Sequence, residues 1–436
     1  MLNHELRIHR FLPALCLRRF VLYVAFWTSA VGPLAAQKIL IPMDLKQNDH
    51  LKAYGIAFKA LQKEVNVEWL LNYRGGSFMM NYSADIENEC LVRGVTMETL
   101  NASDVVKVYQ TIADENMDAI LLEKAPRIAV YTPPDKKPWD DAVTMALEYA
   151  EIPYDKVFDL EVLQGKLSDY DWLHLHHEDF TGQYGKFYSN FAQAPWYIQQ
   201  QSDYESFARQ MGFTKVSKEK LAVAKMMKDY VAKGGFLFAM CGATDSFDIA
   251  LAAQGTDICG AMYDGDSADP AANDKLQYSQ TLAFTNFKIE MNPYVYEFSD
   301  IDHPSSITAR LKTPEEDYFT LFDFSAKYDP VPTMLTQNHV STVKGFMGQT
   351  TGYRKSLIKD NVVIMGEDAS IGAVKYIHGN FGKGMFTFYG GHDPEDYAHN
   401  IGDPPTDLSL HKNSPGYRLI LNNILFPAAK KKPQKT

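Results

Sequence analysis

Cysteine is scarce in this chain, basic charge is outweighed, and a second long apolar run is missing. With 43 Lys and Arg against 54 Asp and Glu the formal charge is −11, which argues against a nucleic-acid partner. The one apolar run of note, Phe20–Ala30, is too short to span a bilayer, so no stable membrane insertion is expected. Disorder is excluded by an ordinary globular hydrophobic content of 46%. The run instead follows Arg7, Arg10, Arg18 and Arg19 and precedes Pro33-Leu34-Ala35-Ala36-Gln37, the layout of a secretory signal over residues 1–36, cleaved after Ala36. A retained N-terminal anchor is the alternative. Export predicts a periplasmic or secreted protein, and loss of the basic segment takes the formal charge to −14.

Removing Cys16 with the signal leaves Cys90, Cys241 and Cys259, an odd number in an oxidising compartment. Either Cys90 and Cys259 form a bridge and Cys241 is the free thiol, or all three are buried thiols. The basic tail 429–436, with Lys430-Lys431-Lys432, reads as a solvated terminus.

Strand Lys38–Pro42, helix Leu51–Lys63 and strand Val67–Tyr73 open the mature chain as a β-α-β unit and predict a nucleotide-type layer over residues 37–125. Helix Ala102–Asn116 and strand Ala119–Leu122 complete it. The pattern restarts with strand Arg127–Tyr131, helix Trp139–Ala150 and strand Asp171–His176 within 126–260. No Pro/Gly-rich linker marks the boundary near Lys124–Arg127. Residues 261–355, punctuated by Pro293, Pro304, Pro330 and Pro332, read as a loop-rich insertion or cap. Strands Val362–Met365, Gly372–His378 and Gly384–Tyr389 rejoin the sheet within 356–428. The expected fold is α/β: one three-layer domain, an N-terminal α/β module and the insertion.

Within this frame, Leu237–Met240 is a short apolar strand that gives way at Cys241 to Gly242-Ala243 and a helix. Such a junction presents a thiol at the carboxyl edge of a sheet. The amide of Gly242 is placed to donate to an oxyanion, and the helix N-terminus favours the thiolate. The last strand, Gly384–Tyr389, ends in Gly390-Gly391-His392-Asp393-Pro394-Glu395, a histidine with carboxylates behind it. A nucleophilic Cys241, a proton-carrying His392 and Glu395 or Asp393 as the acid would attack an amide or ester. A polar turn after an edge strand is the plain alternative.

Strand-Cys241-turn-helix followed by Gly391-His392 resembles the class I glutamine amidotransferase-like superfamily. The stretch Phe381-Gly382-Lys383-Gly384-Met385-Phe386 leading to Gly391-His392 is similar to its trehalose-utilisation-protein-like branch. That resemblance implies a flavodoxin-like domain, with Cys241 at the nucleophile position and His392 at the histidine position. The family glutamate falls where this chain has Pro394, between Asp393 and Glu395, and Met240 replaces a flanking glycine. Ile41-Pro42-Met43-Asp44 and His50–Gly55 also resemble exported Bacteroidota proteins labelled asparagine synthetase B. Asparagine synthetase-type activity is the least favoured reading: Leu2 and not cysteine follows Met1, and Arg74-Gly75-Gly76-Ser77 lacks the order of a pyrophosphate loop.

His174, His176, His177, Glu178 and Asp179 are the densest metal-capable cluster, with His174, His176 and Glu178 on one face of an extended strand. Solvation of the sheet edge is the favoured reading, so no metal and no cofactor is expected. In the amidotransferase-like arrangement this strand end faces the nucleophile, which makes Gly182 a second oxyanion donor and His176, His177 and Glu178 substrate contacts. The aromatic excursion Tyr184–Tyr197 reads as a satellite core or a sugar-stacking face. The functional expectation is an exported hydrolase acting on a small-molecule or cell-envelope substrate. A non-catalytic glycan-binding protein is the alternative.

Overall fold

The computed structural model describes residues 37–133, 141–303, 316–329, 331–346, 350–396 and 403–430; the expected signal segment and the basic end of the tail lie outside them. The chain begins with β1 (Lys38–Ile41), α1 (His50–Gln62), β2 (Val67–Leu71), β3 (Ser77–Asn81), α2 (Ala84–Arg93), β4 (Glu98–Leu100), α3 (Ala102–Asp114) and β5 (Asp118–Leu122). These strands form a five-stranded sheet in the order β4-β1-β3-β2-β5. Every neighbouring pair in it is antiparallel. The expected nucleotide-type layer is therefore corrected. β1 and β2 run the same way but do not touch, because β2 turns at Tyr73–Gly75 into β3, which pairs with both.

The second sheet takes β6 (Ile128–Tyr131), β7 (Asp155–Val157), β8 (Trp172–Leu175) and β9 (Phe236–Met240), then β10 (Tyr318–Leu321), β11 (Thr342–Lys344), β12 (Tyr353–Arg354), β13 (Val363–Asp368), β14 (Ala373–Phe381) and β15 (Gly384–Tyr389). Its spatial order is β11-β10-β13-β14-β15-β9-β8-β6-β7, with β12 on β14. The half from β7 to β15 is parallel throughout. The remainder is antiparallel. Strands β10, β11 and β12, which lie in the stretch expected to be an insertion, thus extend or edge the main sheet. The whole is a mixed α/β structure.

Helices α4 (Ala142–Tyr149), α5 (Asp159–Leu163), α6 (Tyr188–Phe191), α7 (Pro195–Gln210), α8 (Val216–Lys233), α9 (Gly242–Ala252), α10 (Ala261–Asp264) and α11 (Pro415–Leu425) complete the elements used below. Parallel strands covered on both faces must be apolar along their length, and β6 and β9 are buried at every residue. Polar chemistry is left to the strand ends.

One apolar cluster joins the two sheets, from Leu51, Tyr54 and Trp69 on one side to Tyr376, Tyr417 and Leu421 on the other. Arg418 of α11, fully buried, crosses this junction and donates to the Met43 carbonyl at 3.0 Å, to the Tyr54 hydroxyl at 3.0 Å and to the Gly75 carbonyl. Spending a buried guanidinium on carbonyls satisfies the β2–β3 turn and fixes α11 against α1. No helix of the described residues is long and apolar enough to cross a membrane.

Candidate functional site

Three neighbouring strands deliver the candidate residues at one level. Leu175 of β8 pairs with Ala239 of β9, and Tyr389 of β15 pairs with Met240, so the residues that follow each strand leave the sheet side by side. The Cys241 amide donates to the Tyr389 carbonyl at 3.2 Å, and the Ala243 amide donates to the His176 carbonyl at 3.0 Å. Cys241 and the start of α9 are thereby tied to both flanking strand ends.

Cys241 holds φ 52° and ψ −141°, a conformation rare for any residue with a Cβ. It is buried. Its carbonyl accepts from the Thr244 amide at 3.1 Å and the Thr244 hydroxyl at 2.7 Å, which closes the first turn of α9 and keeps the strained residue in place. Gly242 is the first residue of α9, where an amide has no acceptor within the helix. The Tyr296 and Tyr353 hydroxyls are pushed up by burial first, with the charge of Cys241 among the further causes, so neutral phenols stand near the thiol.

His392 follows Gly390 and Gly391 at the end of β15. Gly391 has φ 101°, and a Cβ there would fall 2.2 Å from the Phe346 carbonyl oxygen, so only glycine lets the chain turn here. The turn brings His392 over the other two rings: its centroid lies 4.5 Å from that of His176 and 4.5 Å from that of His177, which stack on each other at 3.7 Å. One nitrogen from each of the three lies within 4.8 Å of the others.

Asp141, at the N-cap of α4, reaches this cluster and was not among the residues expected from sequence. Its Oδ1 accepts from the amides of Val143 at 2.7 Å and Thr144 at 3.2 Å, and it stands 3.1 Å from His174 Nε2 and 3.1 Å from His176 Nδ1. Burial opposes its charge, but the two imidazoles hold its carboxyl well below the usual range. His174 is fixed further by its Nδ1, 3.2 Å from the Phe238 carbonyl. The expected shared face of His174 and His176 is thus used, toward one carboxylate. His176 Nε2 is buried and has no hydrogen-bond partner among the described residues.

β8 ends at Leu175, so strand alternation does not carry on to Glu178. Instead the Glu178 carboxylate turns back and accepts from the His176 amide at 3.0 Å, and burial pushes it up to about 7. Asp179 organises the next turn, accepting from the Thr181 amide at 2.7 Å and the Gly185 amide at 3.1 Å. Gly182, at φ 82°, lies against α8, where a Cβ would meet Ser217 at 2.8 Å. Asp393 accepts from the Glu395 amide at 2.8 Å, the Thr406 hydroxyl at 2.8 Å and the Tyr417 hydroxyl at 2.9 Å. Glu395 pairs with His411 at 3.3 Å. Both expected acids therefore have structural partners, while the carboxylate at the imidazoles is Asp141.

The suggested Cys90–Cys259 bridge is absent; the three described cysteines are buried and none is in a disulfide. Cys90 lies in the joint core, where burial pushes its thiol up to about 12, and Cys259 Sγ donates to the Thr181 carbonyl at 3.2 Å. Tyr184, Phe187 and Tyr197 pack with Cys259 and Tyr263, so the aromatic excursion builds a satellite core. Arg74 pairs with Asp44 and Glu98, each at 2.8 Å, within a plain turn. A cavity of 1130 Å³ opens at the other end of the sheet, beside Gly235, Phe236, Gly384 and Met385, the amino ends of β9 and β15. The chemistry and this cavity therefore do not coincide, and the residue geometry carries the assignment.

No family model and no curated protein matches the chain. Among solved structures, the cytoplasmic protein STM3548 from Salmonella typhimurium aligns with 70% of this chain and 100% of its own at 11% identity and a TM-score of 0.35. The cytoplasmic protein STM1381 from Salmonella typhimurium LT2 aligns with 70% of this chain and 100% of its own at 13% identity and a TM-score of 0.32. Gan42B, a GH42 beta-galactosidase from G. stearothermophilus, covers 62% of this chain and 28% of its own at 11% identity and a TM-score of 0.27. Likenesses this distant carry no argument about fold or function.

Proposed function

We propose that the protein is an exported hydrolase that cleaves an amide or ester in a small-molecule or cell-envelope substrate, with Cys241 as nucleophile and His392 as proton carrier. The observation that carries this reading is the backbone of Cys241. A non-glycine residue at φ 52° and ψ −141°, between a buried parallel strand and a helix N-terminus, is strain that a merely space-filling cysteine does not need. The parallel strands, taken in chain order, lie as 2-1-3-4-5, the order of flavodoxin-like folds, which supports a class I glutamine amidotransferase-like domain.

In the proposed reaction the Cys241 thiolate bonds to the carbonyl carbon and the Gly242 amide donates to the oxyanion. His392 gives its proton to the leaving amine or alkoxide as that bond breaks. Water then attacks the thioester, His392 takes its proton, and the thiolate departs. Gly182 stands as the second oxyanion donor, and His176, His177 and Glu178 as substrate contacts. Asp393 and Glu395 hold the segment that carries His392, and Asp141 acts on the cluster through His176.

The test is the rate of Cys241 alkylation against pH, read by peptide mass spectrometry in the wild type and in His392→Ala. Fast labelling between about pH 6 and 7 that slows at least tenfold in the variant supports an activated thiol. Labelling that rises only near the ordinary thiol pKa of about 8.5 and ignores the substitution refutes the pair.

A further inference from the structure

Lys220 holds its amino group almost wholly out of water. Lys220, Glu219 and Asp159 are 1%, 1% and 3% exposed, where α8 packs against the start of α5. The Lys220 Nζ lies 4.4 Å from the ring centroid of Phe158, 4.9 Å from that of Tyr204 and 5.5 Å from that of Tyr131. Inside this aromatic box Nζ meets both oxygens of Asp159, Oδ1 at 2.8 Å and Oδ2 at 2.6 Å. It also donates to the Tyr131 hydroxyl at 2.9 Å, which in turn donates to Asp159 Oδ1. For an ion pair buried this deeply the attraction does little more than offset the loss of solvation. A neutral amide between the same two groups leaves no charge to bury.

We propose that Lys220 and Asp159 are the site of an intramolecular isopeptide bond, Nζ to Cγ, formed with loss of one water and with Glu219 as the acid that moves the protons. Contact with both carboxyl oxygens puts Nζ about 3 Å from Cγ, the separation of a near-attack pair. The Cβ–Cγ torsion of an aspartate is broad, so turning the face of the carboxyl toward the nitrogen costs little. Glu219 sets this pair apart from an ordinary salt bridge. Its Oε2 lies 3.9 Å from Nζ, and its Oε1 is buried with no hydrogen-bond partner among the described residues. Burial, acting first and against the pull of Lys220, pushes Glu219 up to about 8, so it holds its proton at neutral pH. In the starting state burial opposes the Lys220 charge and Asp159 sustains it.

The ammonium first passes one proton to an Asp159 oxygen, which leaves an amine and a carboxylic acid. The Nζ lone pair then bonds to Cγ while the carbonyl π pair moves to oxygen, where Glu219 places its proton. Glu219 recovers a proton from the nitrogen. It next protonates one hydroxyl, the C–O bond breaks, and water leaves as the remaining hydroxyl returns the proton to Glu219. Nothing is oxidised or reduced, and no co-reactant is consumed. The product ties α5 to α8 between residues 61 positions apart. It uses none of the residues of the proposed hydrolase and does not rest on that reading.

The experiment is peptide mapping of the purified full chain by tandem mass spectrometry after complete denaturation. A branched peptide joining Asp159 to Lys220, lighter by about 18 Da than its two linear parts together, is expected in the wild type. Lys220→Arg should give only linear peptides, and Glu219→Gln should lower the branched fraction at least tenfold, with far-ultraviolet dichroism and melting showing both variants folded. Linear Asp159 and Lys220 peptides alone in the wild type overturn the bond. So does a loss of about 18 Da confined to the Asp159 peptide, which marks cyclisation of the aspartate onto its own backbone. A branched fraction unchanged in Glu219→Gln overturns the proton-moving role of Glu219.

Discussion

His378 is the residue whose burial makes the sharpest prediction. It lies in the middle of β14, opposite Thr387 of β15, whose hydroxyl is 2.9 Å from Nδ1, with Phe236 and Phe426 against its ring. It is 1% exposed, and burial alone lowers it from 6.5 to about 3. The unfolded chain binds a proton at this ring below about pH 6.5, whereas the folded chain does not until about pH 3. Stability from this group is therefore complete above about pH 6.5 and falls by about 1.4 kcal/mol per pH unit below it, until the folded pKa is reached. Between pH 7.5 and 4.5 the loss is about 3 kcal/mol. His378→Asn keeps a nitrogen toward Thr387 and removes the titration, at the cost of a cavity worth about 1–3 kcal/mol at every pH. Urea denaturation of both proteins at pH 7.5, 5.5 and 4.5 isolates the histidine, since all other groups titrate in both. The wild type should forfeit its advantage by about 3 kcal/mol across that range. A gap constant to within about 0.5 kcal/mol would refute the reasoning and mean that water from the neighbouring cavity, which His378 helps to line, solvates the imidazolium in the folded state.

At Cys241, glycine removes the Cβ that strains φ 52° while alanine keeps it, so Cys241→Gly should be more stable than Cys241→Ala by about 1 kcal/mol in thermal unfolding; equal midpoints would deny the strain. Gly391→Ala drives a Cβ to 2.2 Å from the Phe346 carbonyl, and is expected to cost about 2–4 kcal/mol and to slow Cys241 alkylation by moving His392, so wild-type stability would contradict the contact. Lys375 and Asp317 are both 0% exposed and paired at 2.8 Å, so Lys375→Met should destabilise by about 3–5 kcal/mol in denaturant titration, and adding Asp317→Leu should recover at least half; no recovery would show that packing and not the uncompensated carboxylate set the loss.

Where local signals agree with tertiary pairing, the fold was legible. Leu237–Met240 before Cys241-Gly242 is apolar, short and followed by small residues, and it became β9 and the start of α9. Phe381-Gly382-Lys383-Gly384 is a two-residue hairpin with Gly382 at φ 60°, as its glycines suggested. The N-terminal sheet was not legible to the same degree. A strand, a helix and a second strand suit a parallel unit, and only the pairing of Ser77–Asn81 between them decides otherwise. Strand alternation also overran β8: beyond Leu175 the chain turns, so the shared face held for His174 and His176 but not for Glu178.

Asp141 was hidden for a different reason, and that reason separates its two roles. An aspartate before Ala142 is an ordinary helix cap, and it does cap α4 through the Val143 and Thr144 amides. Nothing in a capping residue's sequence context announces that the same oxygen also meets His174 of β8, 33 residues away, and His176 just beyond the end of that strand. Burial opposes the charge there and the two facing imidazoles hold it, while the same oxygen goes on accepting from the two cap amides. The anion, 3.1 Å from His176 Nδ1, favours the tautomer that carries its proton on that nitrogen. Asparagine caps a helix about as well as aspartate does, so Asp141→Asn should alter the melting free energy by less than about 1 kcal/mol. Its amide can donate as well as accept, so it no longer dictates the tautomer of His176. Retained stability with slowed Cys241 alkylation would place the function of Asp141 in the histidine cluster. A variant as unstable as one lacking the cap would place it in the helix.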